Sequence, residues 1–299
     1  MLYDTRLMMS LAKQKQNPDK RCVACDLKQL SEAVWSRHPA VNISLKQLDL
    51  SVRQSGSHAA YPWTANSSQA DAHEFLCWLV DILEQRYNVP SLVIEGIFKL
   101  RILSQWICQD CAEVHTSTPQ DETGLSLQLK QPADAKQLEQ YIAAYFHDTV
   151  SDARCENSNC RSKRDRVRVR TIGAAPRVLF VQLQRFESHY DARTRQFRTN
   201  KISKDVRFPQ ELDLSAYAHD GNLQRQRALK YKLSSVISHA GTLRSGHYIT
   251  YAEGPNGIVR KFDDEYVSSS NLTEMLRSQG SFVPYILTYT SCEHTVAKL

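Results

Sequence analysis

The chain has 299 residues, 41% of them hydrophobic and 23% charged, with a formal net charge of +6. That is the balance of a globular protein with a real core, sized for one large domain or two ordinary ones. No apolar run reaches the length of a bilayer span, and the positive charge is too mild and too dispersed to imply a nucleic-acid partner by itself.

The opening stretch, MLYDTRLMMSLAKQ, lacks the basic flank, apolar core and cleavage site of a signal peptide. The chain is therefore expected in the cytoplasm or nucleus, where thiols stay reduced. Its 8 cysteines then read as metal ligands, a nucleophile or core filler before they read as disulfides. Residues 1 to about 90 have helical periodicity. CVAC, at Cys22 and Cys25, has no second pair nearby and reads as core or surface thiols. The clearest helix is SSQADAHEFLCWLVDILEQRY, where Ser68 and Asp71 suit a capping box and Ala72, Phe75, Leu76, Leu79 and Leu83 form an apolar stripe.

From roughly 91 to 175, short strand-like runs alternate with polar turns and two cysteine pairs. The run RSKRDRVRVR alternates with period two, setting Arg164, Arg166, Arg168 and Arg170 on one face, which predicts a strand with one solvated side, a nuclear-import or anion-binding patch being the alternative. From 176 onward the strands lengthen: RVLFVQLQRF, YKLSSVISHAG, HYITYAEG, IVRKF and PYILTYT. Helices, then a cysteine-bearing β insertion, then a large sheet predict an α+β protein.

CQDC, at Cys108 and Cys111, and CENSNC, at Cys155 and Cys160, are two close pairs on separate hairpins. A tetrahedral zinc site needs that pattern, each pair spanning adjacent coordination positions while the intervening chain loops out. Four thiolates leave no open position for water, so the expected zinc is structural. Thiols in such Asp-, Glu- and Asn-rich turns have little packing reason to be there.

HYITYAE and IVRKFDDE flank GPNG, a strong turn signal, and predict an antiparallel hairpin. A turn centred on Pro255 and Asn256 sets His247 opposite Asp264, and a one-residue change in the loop moves the partner to Asp263. Either arrangement brings a histidine to a carboxylate that can fix its tautomer. The hairpin alone is equally compatible with a packed histidine beside a solvated turn. His239, in ISHAG, could pack beside His247 or be purely structural.

YKLSSVISHAGTLRSGHYITYAEG followed by IVRKFDDEYV resembles the histidine box of the ubiquitin-specific proteases, a papain-like cysteine protease family. QADAHEFL resembles that family's Gln-Asp-Ala-x-Glu-Phe-Leu helix, with Ala70 in place of the usual second Gln. The cysteine pairs match its fingers ribbon, and PRVLFVQLQRF and KDVRFPQELDLSAY match the segments that follow. The resemblance covers nearly the whole chain. It implies a single domain over 1–299: a helical thumb remnant at 1–90, zinc-ribbon fingers mainly at 91–175, and an antiparallel palm mainly at 176–299. It also implies His247 as general base, Asp263 as its orienting partner and Asp264 as an accessory polar group. Gln69, Asp71 and Glu74 would lie beside the channel for ubiquitin's C-terminal tail. Ubiquitin or ubiquitinated proteins are the implied partners.

The family's nucleophile lies in a Gly-Asn-Thr-Cys box opening a long helix, and the chain contains no such segment. Cys77 sits inside an apolar helix, where burial raises a thiol's pKa. Cys22 has no turn-to-helix start around it, and Cys292 has no helix after it. Without its thiol a Cys–His pair forms no acyl-enzyme, so the 299 residues alone are expected to be inactive. Three readings follow: a cysteine-type deubiquitinase domain lacking its nucleophile segment, a pseudoprotease that binds ubiquitin or a protein partner without cleaving, and a zinc-bearing nucleic-acid module using the arginine strand. Intact His247, Asp263 and Asp264 favour the first. Ala70 and the start at Met1 speak for the second. The third is weakened by the lack of aromatics interleaved with the arginines.

Overall fold

A computed structural model describes residues 23–36, 41–54, 70–85, 89–130, 132–151, 155–160, 165–219, 229–243, 245–254 and 256–294. Cys22, Ser68, Gln69, Arg164 and Pro255 lie outside these. The chain divides into two compact units, Met1–Ile97 and Phe98–Leu299.

The first unit contains α1 (Val23–Ser36), α2 (Val41–Gln54), α3 (Ala72–Gln85) and most of α4 (Ser91–Phe98). Cys25 is buried in α1 with Val23, Ala24 and Leu27, as core filler. Ser51 of α2 donates to the Asp26 carboxylate of α1. Helix α3 starts where it does because Asp71 caps it: Oδ1 accepts from the His73 N–H at 2.8 Å and the Glu74 N–H at 3.0 Å. Those are two of the N–H groups a helix start leaves without an intrahelical acceptor. The buried face of α3 is Leu76, Leu79, Val80, Ile82 and Leu83. The predicted stripe is thus displaced toward the C-terminal end, with Ala72 and Phe75 only half-buried.

The second unit begins with β1 (Leu100–Ile107), β2 (Val114–Thr116), β3 (Gln120–Glu122) and β4 (Leu125–Gln128), then α5 (Leu138–Phe146), β5 (His147–Val150) and β6 (Arg166–Ala174). It continues with β7 (Val178–Gln184), a separate hairpin of β8 (Phe186–Asp191) and β9 (Gln196–Lys201), then β10 (Glu211–Asp213) and β11 (Lys230–Gly241). The chain then forms β12 (Gly246–Glu253), β13 (Val259–Asp263), β14 (Tyr266–Ser269), the short α6 (Leu272–Met275) and β15 (Val283–Ser291). The architecture is α+β, as the element order predicts. The stretch predicted as strands and turns between 91 and 175 also holds α4 and α5. In α5 the buried residues Leu138, Tyr141, Ile142 and Phe146 follow a helical repeat, and Gln137 and Gln140 close a capping box.

Two sheets organise the unit. One runs β2-β1-β6-β5, with β3 also on β1; the other runs β14-β13-β12-β11-β15-β7-β4, with β10 on β11. All their pairings are antiparallel except β4 with β7. The core gathers Leu179, Val181 and Leu183 of β7, Leu233 and Val236 of β11, and Leu287 and Tyr289 of β15 around α5. Burying a Leu of this kind contributes about 1.5–3 kcal/mol. Gly241 ends β11 at φ +101, and a Cβ there would sit 2.5 Å from the Gly246 Cα. Only glycine permits the close reversal that starts β12 one residue before His247.

The arginine face of β6 corrects the prediction of a solvated side. Arg166 is buried, and its guanidinium reaches the Trp106 carbonyl at 3.2 Å. Arg168 pairs with Asp148 and lies 5.0 Å from the Trp106 ring. Arg170 lies 4.5 Å from the Tyr145 ring and 3.3 Å from Asp148. Neighbouring strand β5 supplies the acid, and β1 and helix α5 the aromatic rings, which strand periodicity alone does not reveal.

Candidate active site and metal centre

The β12–β13 hairpin pairs Glu253 with Val259 and Thr250 with Phe262. Residues 254–258 therefore form the loop, one residue longer than the four of a turn centred on Pro255 and Asn256. The Gly257 N–H donates to the Gly254 carbonyl, and the Gly254 N–H to that of Ile258. Continued one step, this register sets Asp263 opposite Ile249, so neither Asp263 nor Asp264 faces His247 directly. His247 and Ile249 share a face of the strand, and Asp263 reaches the imidazole on the diagonal. The contact is short: His247 Nε2 to Asp263 Oδ1 is 2.6 Å.

Lys261, two residues before Asp263 on the same face, donates Nζ to Asp263 Oδ2 at 2.8 Å. Lys261 first, and then His247, hold the Asp263 carboxyl below the usual carboxylate range. An ionised carboxylate only accepts, so Nε2 carries the proton and Nδ1 is left with its lone pair. Asp264 adopts φ +52 in the turn to β14. Its Oδ2 lies 3.9 Å from Nδ1. Phe282 packs edge-on against the imidazole, with ring centroids 5.9 Å apart. The arrangement is a histidine with one nitrogen anchored to a carboxylate and the other left with its lone pair. His247 and Asp263 are only half-buried.

Lys261 and Phe282 are contacts that sequence reasoning missed. Period-two spacing from Asp263 could have found Lys261. Phe282 arrives from a distant segment and leaves no local signal. His239 pairs with Tyr248, so its ring lies on the opposite sheet face from His247. It is buried among Tyr248, Phe186 and Tyr285.

The two cysteine pairs meet. Cys108 Sγ lies 3.8 Å from Cys160 Sγ and Cys111 Sγ 3.6 Å from Cys155 Sγ, with all four sulfurs within 4.8 Å of one another. Four sulfurs about 2.3 Å from one tetrahedral ion lie about 3.8 Å apart, so the donor set fits a metal. Cys108 closes β1, and backbone N–H groups of Cys111 and Asp110 push its thiol down to about 6. That favours the thiolate a metal requires. The second pair is shaped by Asn157, whose carbonyl accepts from the Cys160 N–H at 2.9 Å and whose Oδ1 accepts from the Asn159 N–H at 2.9 Å. A His115–Glu156 contact of 2.9 Å ties β2 to the second loop.

Asp71 and Glu74 stand at the start of α3, with Asp71 engaged as its cap and Glu74 exposed. Cys77 is half-buried rather than sealed in the helix, with Sγ 3.8 Å from His73 Nε2. Cys292 is exposed in a single turn after β15. No helix among the described residues is long and apolar enough to cross a membrane.

A family model described as ubiquitin carboxyl-terminal hydrolase matches residues 1–289. The chain belongs to the ubiquitin carboxyl-terminal hydrolase family. It is 32% identical over 248 residues to the probable ubiquitin carboxyl-terminal hydrolase 16 of Schizosaccharomyces pombe, covering 77% of this chain and 51% of that protein. It is 25% identical over 308 residues to ubiquitin carboxyl-terminal hydrolase 8 of Saccharomyces cerevisiae, covering 92% of this chain and 62% of that protein. The chain thus spans between half and two thirds of these relatives.

Among solved structures, it is similar to a chain of the SAGA Ubp8/Sgf11/Sus1/Sgf73 DUB module bound to ubiquitin aldehyde. The TM-score is 0.72 at 26% identity, over 95% of this chain and 63% of that one. The module bound to monoubiquitin gives a TM-score of 0.74 at 25% identity, over 95% and 62%. The fold of this ubiquitin carboxyl-terminal hydrolase domain is therefore the USP-type fold that the motifs resemble.

Proposed function

We propose that this chain is the thumb, fingers and palm of a ubiquitin-specific protease domain that hydrolyses isopeptide and peptide bonds at the ubiquitin C-terminus. The observation that carries the reading is the 2.6 Å contact between His247 Nε2 and Asp263 Oδ1, which leaves Nδ1 as a positioned base. In this reading Nδ1 takes the proton of a cysteine thiol, and the thiolate attacks the carbonyl carbon of ubiquitin's last residue. The imidazolium then protonates the departing amine, and water, deprotonated by the same nitrogen, releases ubiquitin from the thioester. Asp263 fixes the ring and stabilises its charged form, with Asp264 beside Nδ1 as an accessory acceptor.

Gln69, Asp71 and Glu74 are assigned to the channel for ubiquitin's tail. Cys108, Cys111, Cys155 and Cys160 are assigned to one structural zinc, which on binding would supply a crosslink between the two loops of the fingers. Ubiquitin is the proposed partner, and the cytoplasm or nucleus the proposed location. Relatives described as hydrolases and similar structures bound to ubiquitin support the reading. They give no support to a non-cleaving alternative.

The sequence contains no Gly-Asn-Thr-Cys segment, so the test supplies one. A family-type Cys-bearing helix joined ahead of the chain is expected to confer hydrolysis of a fluorogenic ubiquitin C-terminal amide, abolished by thiol alkylation. An extended protein that folds and binds ubiquitin yet releases no fluorophore would overturn the proposal.

A further inference from the structure

The turn that carries Asp264 gives the histidine a second chemistry. We infer that His247 Nδ1 and Asp264 form a binding site for a single divalent cation of the zinc class, distinct from the four-cysteine cluster. His247, Asp263 and Asp264 each bring one donor atom within 4.8 Å of the others. The three donors play different parts. Asp263 Oδ1 is engaged with Nε2 at 2.6 Å, so it acts behind the ring, as the carboxylate in a carboxylate–histidine–metal arrangement does. That contact puts the proton on Nε2 and points the Nδ1 lone pair at the cation.

Asp264 Oδ2 stands 3.9 Å from Nδ1. A tetrahedral ion with donors about 2.0–2.1 Å away sets neighbouring donors about 3.4 Å apart, so closure takes about 0.5 Å. Asp264 can supply it, because its side chain is 77% exposed and, among the described residues, its charged contact is the one with His247. Charge agrees with geometry. Lys261 neutralises Asp263 through Oδ2, the oxygen that does not touch the ring, and leaves the Asp264 charge facing Nδ1. One imidazole and one carboxylate, with water completing the shell, suit zinc or cobalt better than a hard cation such as magnesium. A cation there occupies the lone pair that the proposed base uses. Reversible inhibition by the metal is therefore a consequence that rests on the base role, whereas the site itself does not.

Binding is read directly rather than through activity. Protein with its cysteine site loaded is titrated with Zn2+, and separately with Co2+, by calorimetry and by NMR of the histidine ring nitrogens. The expected result is one further equivalent that moves the His247 Nδ1 resonance, with H247A abolishing it. D264N should weaken it at least about tenfold, through loss of one of two protein ligands. D263N, which removes the carboxylate behind the ring, should weaken it about 10- to 100-fold. Asn at 264 tolerates the positive φ, so the D264N protein keeps its turn. No further equivalent up to about 1 mM metal would overturn the site. So would an equivalent indifferent to both H247A and D264N.

Discussion

His247 owes its setting to three side chains of different reach. Asp263 fixes its tautomer, Lys261 holds Asp263 ionised, and Phe282 walls one edge of the ring. The pH dependence follows from the directions of the shifts. Asp263 is depressed, so the stabilisation from its ion contacts is complete above the ordinary carboxylate range near pH 4. It is lost as pH falls through the lower native value. Lys261 is raised by Asp263, so its share is complete below the ordinary lysine range near pH 10 and is lost as pH rises through the higher native value. Both are present at neutral pH. A carboxyl-carbon NMR titration should place the Asp263 midpoint below the ordinary range, and Lys261→Ala should move it upward. A midpoint unchanged by that substitution would show that lysine does not hold the carboxylate. At the other mapped position, Asp71→Ala should cost about 1 kcal/mol in denaturant unfolding, because it removes the cap of α3.

At the scale of elements, the histidine hairpin and the cysteine loops were legible for different reasons. Alternating residues around GPNG specify two paired strands, and the spacing of CQDC and CENSNC specifies two knuckles. Register was less legible. The loop spans 254–258, so the histidine meets Asp263 diagonally, a detail set by the Gly257 backbone rather than by residue pattern. The arginine face of β6 was misread because its partners, Asp148 and Tyr145, come from elements that β6's own periodicity says nothing about. Helix α5 was missed inside a stretch dominated by turn residues. If the cysteine cluster holds zinc, elemental analysis of unchelated protein should give about one zinc per chain. Cys108→Ser should lower that stoichiometry and expose the loop at 155–160 to proteolysis while leaving the larger sheet intact. Protein isolated with full cysteine reactivity and no metal would exclude the assignment.

For the molecule as a whole, the order of helices, cysteine-bearing strands and long strands was enough to read an α+β protein. It was not enough to find the residue that ties the second unit together. Arg185 is fully buried after β7 and donates to the carbonyls of Pro284 at 2.6 Å, Ile202 at 2.9 Å and Lys204 at 2.7 Å. Burial pushes its guanidinium down to about 10, still charged at neutral pH. Arg185→Met should destabilise the unit by about 3 kcal/mol or more, since three buried carbonyls lose a charged donor. A loss below about 1 kcal/mol in urea unfolding would mean that the junction is held by other contacts. Leu287, fully buried on the central β15, should cost about 2–5 kcal/mol as alanine.

The β12–β13 hairpin is proposed to carry the base and its orienting partner of a ubiquitin hydrolase. Its most direct test is steady-state turnover of a fluorogenic ubiquitin C-terminal amide by the chain joined to a Cys-bearing helix, comparing the unsubstituted protein with H247A and D263N. His247→Ala is expected to lower kcat by about 10²–10⁴-fold with KM little changed, through loss of the base. Asp263→Asn should lower kcat as well, by releasing the ring's tautomer, while ubiquitin binding persists. Turnover indifferent to both substitutions would overturn these roles, because the hairpin would then be scaffold and another group would be moving the proton.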